Sequence, residues 1–328
     1  MKTLEFTLQT LASRFVLLLT LLSLLLMISG CAGQMTRMMG HMALGQQVDY
    51  LNIEGATGSH LDQLSPKVWT YNWGFDRTLI VDTDVGLVVV DSFTKELSKR
   101  LLRELKHAGL DKPVHTLIYT HFHLDHVGGG AILKPKHVIA HEKTESYWQD
   151  FDITHLGIAK PTKTINGDVE MNIGGVAFQL LYGGFSHTDT FYAVHLPEEN
   201  LLYAADTVGV EVFLPVGGIA IYTPGYYRML ERIANIDFTT FVSSHFKVGD
   251  KKDFLEAKEL QFTIQRLVQE EILKYDGEVA LHQNKDAMLT LYDNVHDQLY
   301  DKYGDWHGFS AQIVPTILGA YVNSLVGN

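Results

Sequence analysis

The residues best suited to chemistry lie in one short stretch, where His121, His123, Asp125 and His126 fall within six consecutive positions. Alternate residues of an extended chain share a side, so His121 and His123 project together and Asp125 follows them. His126 breaks this alternation and faces the same side only if the chain turns, which the glycines at 128–130 allow. Imidazole and carboxylate groups at this density indicate a metal site.

The elements that must position these residues are strands. Residues 114–119, directly before the stretch, are β-branched and aromatic and predict a buried strand. Three more candidate ligands also follow predicted strands, and this common placement makes them candidates for the same site. They are His187 after the strand at 176–182, Asp206 after 201–204, and His245 after 241–244.

The composition excludes several classes of function. The chain has 328 residues, of which 46% are hydrophobic and 20% charged, enough for one large domain with an appendage. Its formal net charge of −12 gives no electrostatic footprint for nucleic acid. The single cysteine excludes an intramolecular disulfide and a cysteine-rich zinc module. Any metal must therefore be held by histidine and carboxylate, and the expected partner is a small-molecule substrate.

The N-terminal region predicts an exported lipoprotein. Residues 15–28 are almost wholly apolar, too few for a comfortable membrane span but typical of a signal-peptide core. Cys31 follows Ile28-Ser29-Gly30, which resembles the bacterial lipobox, so residues 1–30 are predicted to be removed and Cys31 to carry lipid. By resemblance to Gram-negative lipoproteins, Ala32 after the cysteine favours the outer membrane, facing the periplasm. The alternative is an uncleaved anchor that happens to precede a free cysteine.

Periodicity divides the rest of the chain into three parts. Residues 31–65 contain glycines without sustained periodicity and predict a tether. Residues 66–250 interleave strands and helices without a strict βαβ rhythm, which indicates an α+β fold of two mixed sheets between helices. Residues 251–328 predict a helical C-terminal extension without ligand clusters, which is expected to pack on the sandwich or to form a lid or a homodimer surface. Its three helices are predicted at 253–275, 285–303 and 309–325.

Taken in order, the candidate ligands resemble those of the metallo-β-lactamase-fold hydrolase superfamily, and Val88-Val89-Val90-Asp91 is similar to the strand-ending aspartate of that family. The resemblance covers roughly residues 67–252 and implies a four-layer αββα sandwich with a metal pair at one sheet edge. It also implies the role of each ligand. His121, His123 and His187 would hold the first metal, Asp125, His126 and His245 the second, and Asp206 would bridge both.

The residue at the predicted bridging position is typical of one branch of this family. Asp206 stands where the thiolate-bearing β-lactamases carry cysteine, and the only cysteine of the chain is Cys31 at the predicted lipidation site. An aspartate bridge instead resembles glyoxalase II, lactonases and alkylsulfatases, and its hard oxygen admits iron or manganese beside zinc. Ser186 departs from the glycine or alanine of many relatives, so the backbone before His187 is expected to differ. Asp189 is expected either to orient a ligand or to cap its turn.

The ligand set that the resemblance implies predicts a dinuclear metal-dependent hydrolase. Two divalent cations carry four positive charges, of which Asp125, Asp206 and one hydroxide offset three, so the pKa of the bound water falls toward about 7. The hydroxide would attack an ester, lactone, thioester, sulfate ester or lactam, with Asp125 as the acid and base. Residues 210–228, rich in glycine and tyrosine, predict either a substrate loop or a plain connection. Two alternatives stay open, a non-catalytic metal-binding lipoprotein and a β-lactamase.

Overall fold

The computed structural model describes residues 37, 40–42, 45, 59–149, 153–214, 222–275, 281 and 283–327. The predicted signal peptide and Cys31 lie outside the described residues, as does most of the predicted tether. The chain forms two compact units, residues 1–50 and 51–328, and the second contains both sheets.

The first sheet has seven strands that lie side by side in sequence order. The first four strands pair antiparallel, and the fourth to the seventh pair parallel. The strands are β1 (Ser59–Gln63), β2 (Val68–Trp73), β3 (Asp76–Thr83), β4 (Gly86–Val90), β5 (Val114–Ile118), β6 (His137–His141) and β7 (Lys163–Ile165).

The second sheet has six strands in the order β13-β12-β11-β10-β9-β8. Only the pair of β11 and β12 is parallel, so both sheets are mixed, as predicted. The strands are β8 (Val169–Ile173), β9 (Val176–Tyr182), β10 (Tyr192–Leu196), β11 (Leu201–Tyr203), β12 (Thr240–Val242) and β13 (Val248–Asp250).

Seven α-helices accompany the sheets in the described residues, and two begin with clear caps. Thr94 Oγ1 accepts a hydrogen bond from Leu97 N at 3.1 Å, and Asp250 and Asp253 form a reciprocal capping box. The helices are α1 (Lys95–His107), α2 (Leu124–Val127), α3 (Thr144–Trp148), α4 (Thr223–Ala234), α5 (Lys251–Ile272), α6 (Lys285–Tyr303) and α7 (Phe309–Val326). Short 3₁₀ turns occupy Gly130–Leu133, Thr154–Leu156 and Pro197–Glu199.

The two sheets face each other across one apolar core, and helices cover their outer faces. Successive residues of β4 point to opposite faces of its sheet. Val88 and Val90 belong to the core between the sheets, whereas Leu87 and Val89 pack with the leucines of α1. On the far side, α4 contributes Tyr226 and Leu230 to the packing of the second sheet. The predicted four-layer αββα sandwich is therefore confirmed.

The C-terminal helices α5, α6 and α7 build an apolar core of their own, to which they contribute Ile264, Val295 and Ile317 respectively. The first turns of α5 belong to the sandwich, because Phe254 and Ala257 pack in the larger core that contains the facing strands. Among the described helices, α7 alone is long and apolar enough to cross a membrane, yet Ile317 and its neighbours on one face are buried in the helical core. The extension is thus continuous with the sandwich through α5.

Four strands are not predicted from the sequence. Strand β1 lies inside the segment predicted to be a tether, so the first sheet begins at Ser59. Four of its five residues are exposed, which leaves no apolar alternation to detect. Strands β7, β8 and β13 are likewise short, and each lies at the edge of a sheet with most of its residues at least partly exposed.

Candidate metal centre

The strand ends that carry the seven predicted ligands meet at one edge of the sandwich. His121 and His123 follow β5, and the chain then turns into α2, which carries Asp125 and His126. His126 N donates to His123 O at 3.0 Å in this turn, which breaks the alternation and brings the His126 ring into the cluster. The remaining members come from the second sheet: His187 after β9, Asp206 after β11 and His245 after β12.

The first group of side chains is His121, His123, His187 and Asp206, whose ligand atoms all lie within 4.8 Å of one another. His187 Nε2 is 3.3 Å from His121 Nε2 and 3.2 Å from His123 Nδ1. Asp206 Oδ2 is 3.4 Å from His121 Nε2 and 3.3 Å from His187 Nε2. Three imidazole nitrogens and one carboxylate oxygen therefore converge on one point.

The second group is Asp125, His126 and His245, whose ligand atoms also lie within 4.8 Å of one another. Asp125 Oδ2 is 3.9 Å from His126 Nε2. Asp206 reaches this group as well, because its Oδ2 lies 3.1 Å from His126 Nε2 and its Oδ1 lies 3.0 Å from His245 Nε2. Asp206 thus lies between the two groups, and all seven predicted residues are brought together, while their roles as metal ligands remain a proposal.

The donor set fits divalent metal ions better than it fits hydrogen bonds among its own members. Neutral imidazole nitrogens that face one another cannot all find a donor. His126 Nε2 is fully buried and makes no hydrogen bond of acceptable geometry to any described residue, although Asp206 is near. Two nitrogens that bind one tetrahedral ion at about 2.0–2.1 Å lie about 3.3 Å apart, which matches the separations around His187.

Asp206 dominates the electrostatics of the centre. Burial alone would raise the pKa of this carboxyl, but the neighbouring His126 and His245 and a hydrogen bond from His121 hold the pKa well below its usual range. Burial lowers the pKa of His245, yet the Asp206 carboxylate overcomes this and raises the pKa to about 9. Burial and the adjacent His187 lower the pKa of His123 to about 4. A fixed negative charge among buried imidazoles favours a cation at this place.

Asp91 is the residue that fixes His126. Its carboxylate is fully buried and accepts four hydrogen bonds, from Thr120 N at 2.9 Å, Thr120 Oγ1 at 2.8 Å, His126 Nδ1 at 3.0 Å and Tyr203 OH at 3.2 Å. Asp91 has φ of 59°, a left-handed conformation that aspartate tolerates better than most residues. The bond to Nδ1 leaves Nε2 of His126 facing the cluster.

Other supporting residues are missed by sequence reasoning. Ser244 Oγ donates to Asp206 Oδ1 at 2.9 Å and accepts from Asp206 N at 3.1 Å. Thr120 Oγ1 lies 3.0 Å from Nδ1 of His121. Both Thr120 and Ser244 directly precede a candidate ligand in the chain, and this adjacency is the signal that could have identified them.

Several residues with candidate roles do not join the centre. Asp189 Oδ2 lies 3.0 Å from Lys143 Nζ, so its side chain orients no ligand histidine by a direct contact. Part of the predicted substrate loop, residues 215–221, lies outside the described residues. In the described part of this loop, Tyr222 stacks on Phe185 with ring centroids 5.3 Å apart, and Phe185 is close in sequence to His187. Other described histidines also stay outside both ligand groups, among them His137, His141, His155, His195, His296 and His307.

One protein family matches this chain across the sandwich. The family model described as the metallo-beta-lactamase superfamily matches residues 73–245, the part of the chain that carries all seven side chains. The fold also resembles a solved structure, the metallo-beta-lactamase from Pontibacter korlensis. The TM-score is 0.53 with 24% sequence identity, and the alignment covers 62% of this chain and 98% of that chain.

Two proteins with similar sequences are named for different activities. The alpha subunit of 2,4-dinitroanisole O-demethylase from Nocardioides sp. (strain JS1661) is 33% identical over 192 residues, which are 57% of this chain and 58% of that relative. The chain thus spans little more than half of that subunit. The metallo-beta-lactamase type 2 of Bacillus sp. (strain 170) is 27% identical over 230 residues, 66% of this chain and 87% of that protein. The match over residues 73–245 covers more than half of the sequence, and this chain belongs to the metallo-β-lactamase superfamily.

Proposed function

We propose that this protein is a dinuclear metal-dependent hydrolase, in agreement with the enzyme class predicted from its sequence. The observation that carries the proposal is the position of Asp206 between the two ligand groups. Its Oδ2 lies 3.4 Å from His121 and 3.3 Å from His187 in the first group and 3.1 Å from His126 in the second, and its Oδ1 lies 3.0 Å from His245 in the second. His121, His123 and His187 would complete the first metal site, and Asp125, His126 and His245 the second. The ligands are nitrogen and oxygen atoms only, which suits zinc and also admits iron or manganese.

Divalent cations in these two sites would supply a Lewis acid for a substrate oxygen and lower the pKa of water toward neutrality. The residues of the chain would position the metal sites and transfer protons. Asp206 holds the two sites at a fixed separation, and Asp91 keeps the His126 ring in one orientation. Asp125 is the exposed member, with 66% of its side chain accessible, whereas His126 beside it is fully buried. Asp125 is therefore the carboxylate that can reach a substrate and accept or return a proton.

The substrate is proposed to be an ester, lactone, thioester, sulfate ester or lactam. An aryl methyl ether joins this set because the relative of highest identity given above is named as a dinitroanisole O-demethylase subunit. Aromatic side chains beside the ligands favour a planar substrate: Phe122 stacks on Tyr147 at 4.0 Å next to His123, and Phe185, 52% exposed, stacks on Tyr222. Such rings bind aromatic groups face to face or edge to face.

Two other functions stay as alternatives. β-Lactam hydrolysis is supported by the relatives named as metallo-beta-lactamases, while the aspartate at position 206 in place of a thiolate weakens it. A non-catalytic metal-binding lipoprotein would keep the metal only for stability or sensing. For the location, we propose a lipid-anchored protein on the periplasmic side of the outer membrane, on the basis of the sequence around Cys31.

Metal analysis and a hydrolysis panel on the same preparation test the proposal. We expect close to two ions per chain, and turnover of at least one ester, lactone, thioester, sulfate ester, aryl ether or lactam that stops on chelation. His121→Ala and Asp206→Ala are expected to lower kcat/KM at least about 10³-fold, because each removes a metal ligand.

The matched control is His107→Ala, which removes an exposed histidine of α1 and is expected to leave turnover unchanged. Protein that contains no metal and ignores chelators contradicts the proposal. Stable metal binding without turnover on the whole panel favours the non-catalytic alternative, and rapid turnover of a chromogenic cephalosporin alone favours the β-lactamase.

A further inference from the structure

The turn between β2 and β3 reaches across the sandwich to the segment that carries His245. Asp76, the first residue of β3, and His245 are directly opposed in a short antiparallel bridge. This bridge joins the first sheet to the residues after β12 in the second. Two backbone hydrogen bonds flank it, from Arg77 N to Ser244 O at 2.7 Å and from Phe246 N to Phe75 O at 2.8 Å.

Within this bridge the Asp76 carboxylate faces the His245 ring. Asp76 Oδ1 lies 3.3 Å from His245 Nδ1, and both side chains are largely buried. The contact is poorly aligned for a hydrogen bond, but no other described residue offers Nδ1 a better partner. The other ring nitrogen, Nε2, lies 3.0 Å from Asp206 Oδ1 at the centre. A carboxylate behind Nδ1 favours the tautomer that keeps its proton there and leaves Nε2 free for a metal.

Aromatic rings confine the His245 ring from two directions. The Phe75 ring, on the same turn as Asp76, lies 5.2 Å away, and the Phe93 ring approaches edge-on at 5.8 Å. The ring is thus held by apolar contacts while its two nitrogens face carboxylates at opposite ends. The turn that supplies Asp76 therefore also supplies part of the packing.

The histidines of the second ligand group differ from His121 of the first group in the residue that faces Nδ1 of the ring. In the second group, His126 Nδ1 faces the Asp91 carboxylate at 3.0 Å and His245 Nδ1 faces Asp76. In the first group, His121 Nδ1 faces the neutral hydroxyl of Thr120 at 3.0 Å. A carboxylate acceptor raises the basicity of the opposite ring nitrogen and strengthens its bond to a metal more than a hydroxyl does.

We propose that Asp76 is a positioning residue for the second ligand group, which aims Nε2 of His245 at the metal and sets the affinity of that site. This role rests on the proposed dinuclear function and belongs to a residue outside the seven ligands. This role also gives a reason for the bridge between the β2–β3 turn and the segment after β12, because the bridge places the Asp76 carboxylate beside His245.

Zinc titration of the metal-free protein against a competing chelator, with metal analysis, tests the proposal. Wild-type protein is expected to bind two zinc ions per chain. In Asp76→Ala one of the two is expected to bind about 10–100-fold more weakly, and the other as in wild type. Asp76→Asn is expected to lie between, because its amide oxygen still accepts a hydrogen bond but without the charge.

The matched control is Asp62→Asn, which removes a carboxylate on β1, two strands from β3. This carboxylate lies 3.6 Å from Arg77 and contacts none of the seven candidate ligands. It is expected to bind both zinc ions as wild type does, and the melting temperature of each metal-free variant is expected to match that of wild type. If Asp76→Ala is destabilised without metal, the zinc affinity of Asp76→Asn, which preserves the shape of the side chain, tests the role of Asp76.

Two results would overturn the inference: unchanged binding of both ions in the Asp76 variants, or equal weakening of both ions, which a general structural role would produce. Fewer than two zinc ions in wild-type protein contradicts the dinuclear function itself. The wild-type titration therefore separates a failure of the function from a failure of the role of Asp76.

Discussion

At the edge of the sandwich, His121, His126 and Asp91 are each completely buried, whereas the core of the C-terminal helices is made of residues such as Ile264, Leu299 and Ile317. Burying an imidazole or a carboxylate costs free energy unless it is paired, and even a paired buried charge is seldom better than a hydrocarbon. Apolar packing explains most of the helical core, although the same helices also bury Glu271 and Thr316. Apolar packing does not explain the buried edge of the sandwich. Its residues are those expected where stability is given up for metal binding.

The two regions should therefore respond differently to truncation, and the largest effect on folding is expected in the helices. Leu299 is fully buried in their core, so Leu299→Ala leaves a cavity and is expected to lower the free energy of unfolding by about 2–5 kcal/mol. Zinc stoichiometry and kcat/KM of the folded variant are expected to stay at the wild-type values. Chemical denaturation of the metal-free protein, beside metal analysis and assay, measures both.

A control on the same helix sharpens this comparison. Leu289 is 51% exposed, so Leu289→Ala is expected to change the free energy of unfolding by less than about 0.5 kcal/mol. If the folded Leu299→Ala variant lost a metal ion, the helices would act on the centre and the contrast between the two regions would be wrong.

Metal removal is the corresponding experiment on the sandwich. Because a metal that binds only the native state stabilises it, chelation is expected to lower the free energy of unfolding by about 2.7 kcal/mol per site when free metal had stood at about 100 times Kd. Thermal melts with and without chelator measure this. The same decrement in the Leu299→Ala variant would show that the two regions contribute independently. If the chelator did not change the melting temperature, metal binding would not explain why these polar residues are buried at the edge of the sandwich.

The same contrast governs how much the sequence alone reveals. Helix α6 is predicted with the bounds 285–303 that the structure has, because its apolar stripe repeats at helical spacing over about five turns. The ligands at 121–126 are also predictable, since their types and spacing are dense enough to identify a site without knowledge of the fold. His187, Asp206 and His245 need the assumption that strand ends meet, which the two sheets bear out.

The supporting residues are harder to predict. Asp76 lies in a hairpin far along the chain from His245, and an aspartate beside a turn is ordinary turn chemistry, so nothing local distinguishes it. Only the pairing of the two sheets gives it a partner. Asp91 stands out because it ends an apolar strand, but its four hydrogen bonds come from Thr120, His126 and Tyr203, which lie far from Asp91 in the chain and do not follow from spacing. Contacts between distant segments are what the sequence leaves open.

The smallest expected effect concerns protons at the centre. Without metal, the pKa of His245 is raised to about 9 from its ordinary value of 6.5, because the attraction of Asp206 outweighs the burial that would lower it. His126 is shifted in the same direction, its buried ring held by Asp206 and Asp91. The His245 ring is then protonated near neutral pH in the metal-free protein, and a metal must displace this proton before it can bind.

Apparent zinc affinity is therefore expected to rise with pH between 6 and 8, by at least about tenfold per unit, which is about 1.4 kcal/mol. The sign follows because fewer protons compete for His245 as the pH approaches its pKa of about 9. Calorimetric zinc titration in buffers of different ionisation enthalpy should detect at least one proton released per chain at pH 7. In the helical core, Leu299→Ala should leave this release unchanged. Zinc binding that releases no proton and does not vary over this range would show that Asp206 does not hold His245 charged in the metal-free protein.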